Sequence, residues 1–138
     1  DFILLTKEVE MVRNYIELQN LRTSENEKIN FELVGEIEGK KVAPLIFLPF
    51  VENSFKHGLK SGAEKAFVKI KLEVLENNLS FEIENSKGKS LETDDFKYKG
   101  IGIENVRKRL DLIYPGSYSL KISNNIETYK VLLQIQIN

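Results

Sequence analysis

The sequence predicts a two-layer α/β sandwich: a mixed sheet of about five strands with about three helices on one face. Three observations carry that expectation. Apolar and polar residues alternate in two hairpin-like segments and one earlier run, giving each strand a single apolar face. Apolar residues at helical spacing occur in three other segments, enough helices to cover one face of a sheet and not both. The chain has 138 residues and 41% hydrophobic content, sufficient for one core and too little for two ordinary domains.

Taken in order, Thr6 reads as an N-cap with Glu8 in the first turn, and Val9, Val12 and Ile16 recur with Met11, Tyr15 and Leu18 to about Arg22. Polar residues 23–28 break this helix. Ile29, Phe31 and Leu33 then alternate with Asn30, Glu32 and Val34 in a strand running toward Ile37, and Glu38-Gly39-Lys40 reads as a turn. Pro44 suits the first turn of a second helix, while Pro49 falls inside the same pattern and is expected to kink it just ahead of Asn53. Gly58 fits a C-terminal cap, and 60–65 is a polar connector. Residues 66–75 and 79–84 alternate around Glu76-Asn77-Asn78, the pattern of a hairpin. Periodicity vanishes over 85–99, too long for a routine connection. Gly100-Ile101-Gly102 is expected to open a third helix with Ile103, Val106, Leu110 and Ile113 facing the core, stopped by Pro115-Gly116. A second hairpin follows, with Tyr118, Leu120 and Ile122 on one strand and 129–137 on the other, around Asn124-Asn125.

The bulk properties exclude several classes. A formal net charge of -1 gives no long-range field to recruit nucleic acid or an anionic membrane, so no nucleic-acid partner is expected. Without cysteine there are no disulfides or thiolate metal sites, and with a single histidine a structural zinc site is not expected. No apolar run approaches the roughly 20 residues that span a bilayer. The chain lacks an initiating methionine and starts just ahead of a helix signal, as expected of a fragment.

Two constellations carry chemistry. In Pro49-Phe50-Val51-Glu52-Asn53-Ser54-Phe55-Lys56-His57-Gly58, Asn53 lies three residues before Lys56 and four before His57, so all three are expected on one side of a helix. The Asn53 carboxamide oxygen is a hard, neutral ligand suited to Mg²⁺, Lys56 offers a compact charge for a phosphate and His57 a second donor. Solvated polar groups at a capped helix end would show the same spacing. In the second, Gly100-Ile101-Gly102-Ile103-Glu104-Asn105, glycines at a loop-to-helix junction let backbone amides approach an anion, although an ordinary glycine-rich turn looks alike. A solvated helix face would account for Arg107, Lys108 and Arg109 alike and is kept for Lys108, whereas Arg107 has the reach for a phosphate.

The first stretch closely resembles the asparagine box of LytS-type sensor histidine kinases, Pro-x-Val-Glu-Asn-x-x-Lys-His-Gly. The run Gly100-Ile101-Gly102-Ile103-Glu104-Asn105-Val106-Arg107-Lys108-Arg109-Leu110 resembles their glycine box, and Tyr15-Ile16-Glu17-Leu18-Gln19-Asn20-Leu21-Arg22 the helix before their ATPase domain. A third segment departs from the pattern. Where the family has Asp-x-Gly-x-Gly, this chain has Asn85-Ser86-Lys87-Gly88-Lys89, with Asn85 at the aspartate and Gly88 one place out of register. An asparagine oxygen still accepts a hydrogen bond but contributes less than a carboxylate.

The resemblance implies the Bergerat, or GHKL, fold, with 1–24 as a connecting helix, 25–138 as the ATP-binding catalytic domain and a lid at about 86–99. It implies ATP and Mg²⁺ as cofactors, Asn53 and Lys56 as catalytic residues, and Asn53 as the metal ligand. Lys56 and His57 would approach the phosphates, Asn85 and Gly88 would lie by adenine, and Gly100, Gly102, Ile103, Asn105 and Arg107 would lie along the phosphate tail. The implied activity is transfer of the γ-phosphoryl group to a histidine on a dimerisation segment of the parent, which hands it to a response regulator. The parent would be a homodimeric inner-membrane sensor, and this piece its cytoplasmic, monomeric domain. His57, inside the binding box, is not the acceptor. Related chaperone-type ATPases carry a general-base glutamate where this chain has Pro49, which argues against a stand-alone hydrolase. A degenerate domain with weak or no nucleotide binding, acting as an interaction module, is the alternative.

Overall fold

The computed structural model describes residues 1–21, 28–58, 66–87 and 93–137, the side chains of 93–101 excepted. Its elements are β1 (Ile3–Leu4), α1 (Leu5–Asn20), β2 (Lys28–Gly35), β3 (Lys41–Val42), α2 (Leu48–Gly58), β4 (Phe67–Leu75), β5 (Asn78–Ser86), α3 (Thr93–Ile113), β6 (Tyr118–Asn124) and β7 (Thr128–Gln136). Five strands form one mixed sheet in the order β2-β4-β5-β7-β6, in which β2 runs parallel to β4 and the other neighbours are antiparallel.

Strict alternation builds the sheet. Val68, Ile70, Leu72 and Val74 of β4 are buried, as are Leu79, Phe81 and Ile83 of β5 and Tyr129, Val131, Leu133 and Ile135 of β7. Lys69, Lys71 and Lys130 face out, the last paired with Glu82 at 3.1 Å. The helices cover the apolar face, which gives the expected two-layer sandwich. α1 contributes Leu5, Val9, Val12 and Ile16 to the same core as α2's Phe50, Val51 and Phe55, and Tyr15 meets Phe55 edge-on at 5.4 Å.

Several local expectations are corrected. α1 starts at Leu5, capped by Leu4 without a side-chain bond, so Thr6 lies inside the helix. The reason is β1, which pairs antiparallel with β3 and delivers the chain directly into the first turn. Pro49 does not kink α2, because the helix begins at Leu48 and places it in the first turn, where its missing N–H has no helical partner to lose. Phe50 and Val51 donate to the Phe47 carbonyl at 3.0 and 3.1 Å to close that turn.

Gly58 is the last residue of α2, and its φ is not positive. It is required for contact instead: a Cβ there would stand 2.8 Å from Asn85 Cβ and 3.4 Å from the Phe67 carbonyl oxygen. Nor do Gly100 and Gly102 open α3, which starts at Thr93. Asp94 and Asp95 put two acids in its first turn, where they favour the helix dipole. The helix then runs on through both glycines although each costs about 1 kcal/mol relative to alanine. The connectors at 23–27 and 60–65 and the central part of the expected lid, 88–92, lie outside the described residues.

Candidate functional site

The two motifs meet. Pro49, Phe50, Glu52, Asn53 and Lys56 of α2 face Gly102, Ile103 and Val106 of α3 across a cleft of about 250 Å³. Helical periodicity explains both walls: 49, 52, 53 and 56 form one stripe of α2, and 102, 103 and 106 one stripe of α3. Gly102 contributes a bare patch of wall, since a Cβ on it would have nothing within 4 Å among the described residues. Lys56 at the exposed edge supplies positive charge and Asn53, half-buried, a carboxamide.

Asn85 lies behind the C-terminal end of α2. It is fully buried at the end of β5, its Nδ2 donates to the Ser86 carbonyl at 2.8 Å, and its Oδ1 has no partner among the described residues. A buried carbonyl oxygen left unpaired is costly, which sets Asn85 apart from the satisfied polar groups around it. Beside it Ser86 is satisfied: its Oγ accepts from Phe67 N at 3.0 Å and lies 3.4 Å from the Gly58 carbonyl oxygen. The hydroxyl ties β4, β5 and α2 together at the point where Gly58 permits their close approach. Such a role leaves no periodic signature in sequence.

Other candidates fall elsewhere. His57 is 2% exposed and absent from the cleft lining, so it does not share the cleft face with Asn53 and Lys56 as their spacing suggested. The same turn that puts Asn53 and Lys56 outward turns His57 with Ser54 toward the sheet, because the core stripe of α2 widens at its C-terminal end.

Gly100 lies within α3, so its amide belongs to the helix ladder and not to a free N-terminus. Asn105 and Arg107 are exposed on α3 and do not line the cleft. Arg107 lies near enough to the last hairpin to be felt by two of its tyrosines. The Tyr118 hydroxyl, which donates to Asp111 at 2.5 Å, has its pKa raised by that bond, and Tyr129 has its own raised by burial; Arg107 opposes both rises. Gly88 lies outside the described residues. Lys87, at the position of the family's first glycine, is turned away: its Nζ donates to Asn124 Oδ1 at 2.5 Å and to the Asn125 carbonyl at 2.7 Å.

Sequence reasoning missed Pro49, Phe50, Glu52 and Val106 in the lining, although helical spacing finds the first two from Asn53, Glu52 from Lys56 and Val106 from Ile103. It assigned no role to Arg109, whose guanidinium donates to the Pro44 and Leu45 carbonyls.

Comparison with known proteins agrees with this geometry. No family model matches the chain. It is 24% identical over 131 residues to the sensor histidine kinase YesM of Bacillus subtilis, covering 92% of this chain and 22% of that protein. To the sensor protein LytS of Enterococcus faecalis it is 26% identical over 137 residues, covering 91% and 23%. The chain thus spans less than a quarter of the length of these relatives. Among solved structures, the catalytic domain of the histidine kinase ThkA superposes with a TM-score of 0.67 at 16% identity, covering 99% of this chain and 95% of that one. ThkA in complex with the response regulator TrrA gives a TM-score of 0.65 at 16% identity over 100% of this chain and 42% of that one. The resemblance to sensor histidine kinases, LytS among them, therefore extends over most of the chain, and the fold is that of histidine kinase catalytic domains.

Proposed function

We propose that this chain is the ATP-binding catalytic domain of a LytS-type sensor histidine kinase, which transfers the γ-phosphoryl group of ATP to a histidine on another segment of its parent. The observation that carries the reading is the cleft in which Asn53 and Lys56 meet Gly102 and Ile103, residues remote in sequence whose chemistry suits one polyphosphate. Asn53 would hold Mg²⁺ through its carboxamide oxygen, and the metal's role there is to neutralise charge on the phosphates. Lys56 would pair with a phosphate oxygen. The bare wall at Gly102 lets the polyphosphate lie close to α3, and the unpaired Asn85 Oδ1 would accept a hydrogen bond from the adenine amino group.

In the transfer, a neutral imidazole nitrogen attacks the γ-phosphorus, the bond to the bridging oxygen breaks and ADP departs. An imidazole is already nucleophilic and needs no glutamate base, consistent with Pro49 where a hydrolase would carry one. The acceptor belongs to a dimerisation segment and the next recipient is a response regulator, by analogy with the complex of ThkA and TrrA. Among the described residues no helix is long and apolar enough to cross a membrane, and ATP chemistry puts the domain on the cytoplasmic side of a membrane-bound sensor. Within this reading, 1–24 would connect to the acceptor segment and 86–99 would border the bound nucleotide.

The test is calorimetric titration with ADP and a non-hydrolysable ATP analogue, with and without Mg²⁺, on the wild type, Asn53→Asp and Asn85→Ala. Magnesium-dependent binding weakened at least about tenfold by each change is expected, a loss of about 1.4 kcal/mol or more. Absence of binding up to millimolar nucleotide would replace the kinase reading with that of a degenerate interaction module.

A further inference from the structure

The backbone of 43–46, which leads from β3 into α2, is held by side chains from two other helices. The carboxyl of Glu8 on α1, 1% exposed, accepts from Leu45 N through Oε2 at 3.0 Å and from Ile46 N through Oε1 at 3.1 Å. From the other side, Arg109 of α3 donates through Nη1 to the Leu45 carbonyl at 3.1 Å and through Nη2 to the Pro44 carbonyl. Tyr114, just past the end of α3, accepts from Ala43 N at 2.9 Å.

Leu45 has φ 57, a left-handed conformation that a leucine adopts only when its surroundings impose it. Its side chain is 48% exposed, so apolar packing does not impose it. What fixes Leu45 is polar: its N–H and its C=O are both taken, one by Glu8 and one by Arg109.

The clamp sits beside both walls of the cleft. Leu45 precedes Pro49 by four residues, and Arg109 follows Val106 by three, one helical turn along α3. We infer that Glu8 and Arg109 are positioning residues for the nucleotide site: by pinning 44–46 they set the separation of α2 and α3, and with it the width of the cleft. Neither lines the cleft. The inference rests on the nucleotide reading for its function, but the positional claim stands on the clamp geometry alone.

Two readouts on this chain separate the possibilities. The first is the ¹H–¹⁵N spectrum of Glu8→Gln and Arg109→Lys, compared with Leu120→Ala, a core truncation on β6 that takes no part in the clamp's hydrogen bonds. The amides of Asn53, Lys56, Gly102 and Ile103 are expected to shift in both clamp variants and to stay in place in Leu120→Ala. Unmoved cleft amides in the folded clamp variants would overturn the inference whether or not nucleotide binds, and so would equal shifts in all three. The second is calorimetry with Mg²⁺ and the ATP analogue, in which Glu8→Gln weakens binding about tenfold, within the usual range of coupling between separated sites. Adding Leu45→Gly to Glu8→Gln is expected to restore affinity, because glycine takes the left-handed conformation unaided. Binding by the wild type that neither clamp variant weakens would overturn the positioning role while leaving the nucleotide reading intact. No binding by the wild type, with cleft amides still shifted by the clamp variants, would remove the nucleotide reading and leave the clamp as what sets the cleft.

Discussion

At the N-terminal side of α2 the buried carboxyl of Glu8 has both oxygens occupied, whereas beyond its C-terminal end the buried Asn85 keeps Oδ1 unpaired among the described residues. Both side chains are shielded from water, so the contrast is not one of exposure. One polar group finishes the protein's own structure. The other leaves an acceptor unused among the described residues, which the proposed function assigns to a nucleotide. A buried hydrogen-bonding group without a partner lowers stability, and evolution tolerates the cost chiefly where binding restores the bond. The cleft lies between these two ends, along the stretch of α2 where neither kind of burial applies.

Removing each group in turn sharpens that contrast. Glu8→Ala strands the N–H groups of Leu45 and Ile46 and should cost about 2–4 kcal/mol in a urea titration, about 1–3 for the buried Ile46 donor and about 1 for the part-buried Leu45 one. A cost as small as that of a surface change would mean that water replaces the carboxyl there, and the two ends would no longer differ. Next in size is Gly58→Ala, in which the new Cβ overlaps Asn85 and drives α2 off β5, at about 1–3 kcal/mol of stability. Because Asn85 moves with it, nucleotide affinity should fall in the same variant.

Asn85→Ala should cost under about 1 kcal/mol, since only one hydrogen bond to Ser86 is lost and an unsatisfied acceptor disappears with it. A stability loss matching that of Glu8→Ala would show that Oδ1 is satisfied in solution. The smallest effect is on pH dependence. Burial raises the pKa of Tyr114 and of Tyr129 above 10.0, so in the folded state each holds its proton to higher pH than in the unfolded chain. Their contribution is fully present below about pH 10 and is lost as pH rises through the folded values. Chemical denaturation at about pH 9 and about pH 11 should therefore show a drop that Tyr129→Phe reduces.

What can be read from the sequence divides along similar lines. Asn53 with Lys56, and Gly102 with Ile103, are legible because each pair lies within one helical turn, and alternation alone locates the β4–β5 and β6–β7 hairpins. The roles of Glu8 and Arg109 are not, because their partners are backbone groups 37–38 and 64–65 residues away, and a backbone group carries no sequence signal. Pro49 is misjudged from sequence because two prolines compete for one first turn, and only the strained entry at Leu45 excludes Pro44 from it. His57 is misplaced because the 3.6-residue period assigns it equally to the side of Asn53 and to that of Ser54. Strands of two residues, as in β1 and β3, are too short to show alternation at all.

The parallel pairing of β2 with β4 has a kinetic consequence. Every other ladder in the main sheet joins strands that are antiparallel, and β4–β5 and β6–β7 close across tight turns, the first of them only two residues long. Lys28 opposes Phe67, so β2 can dock only after the segment carrying β3 and α2 has crossed over the sheet. Closing so long a loop costs entropy before any contact repays it, which makes the two hairpins early events and β2 a late one. Gly35 ends that ladder against the Val74 carbonyl oxygen, 1.9 Å from where a Cβ would stand, so a strand arriving one residue out of register meets a steric stop.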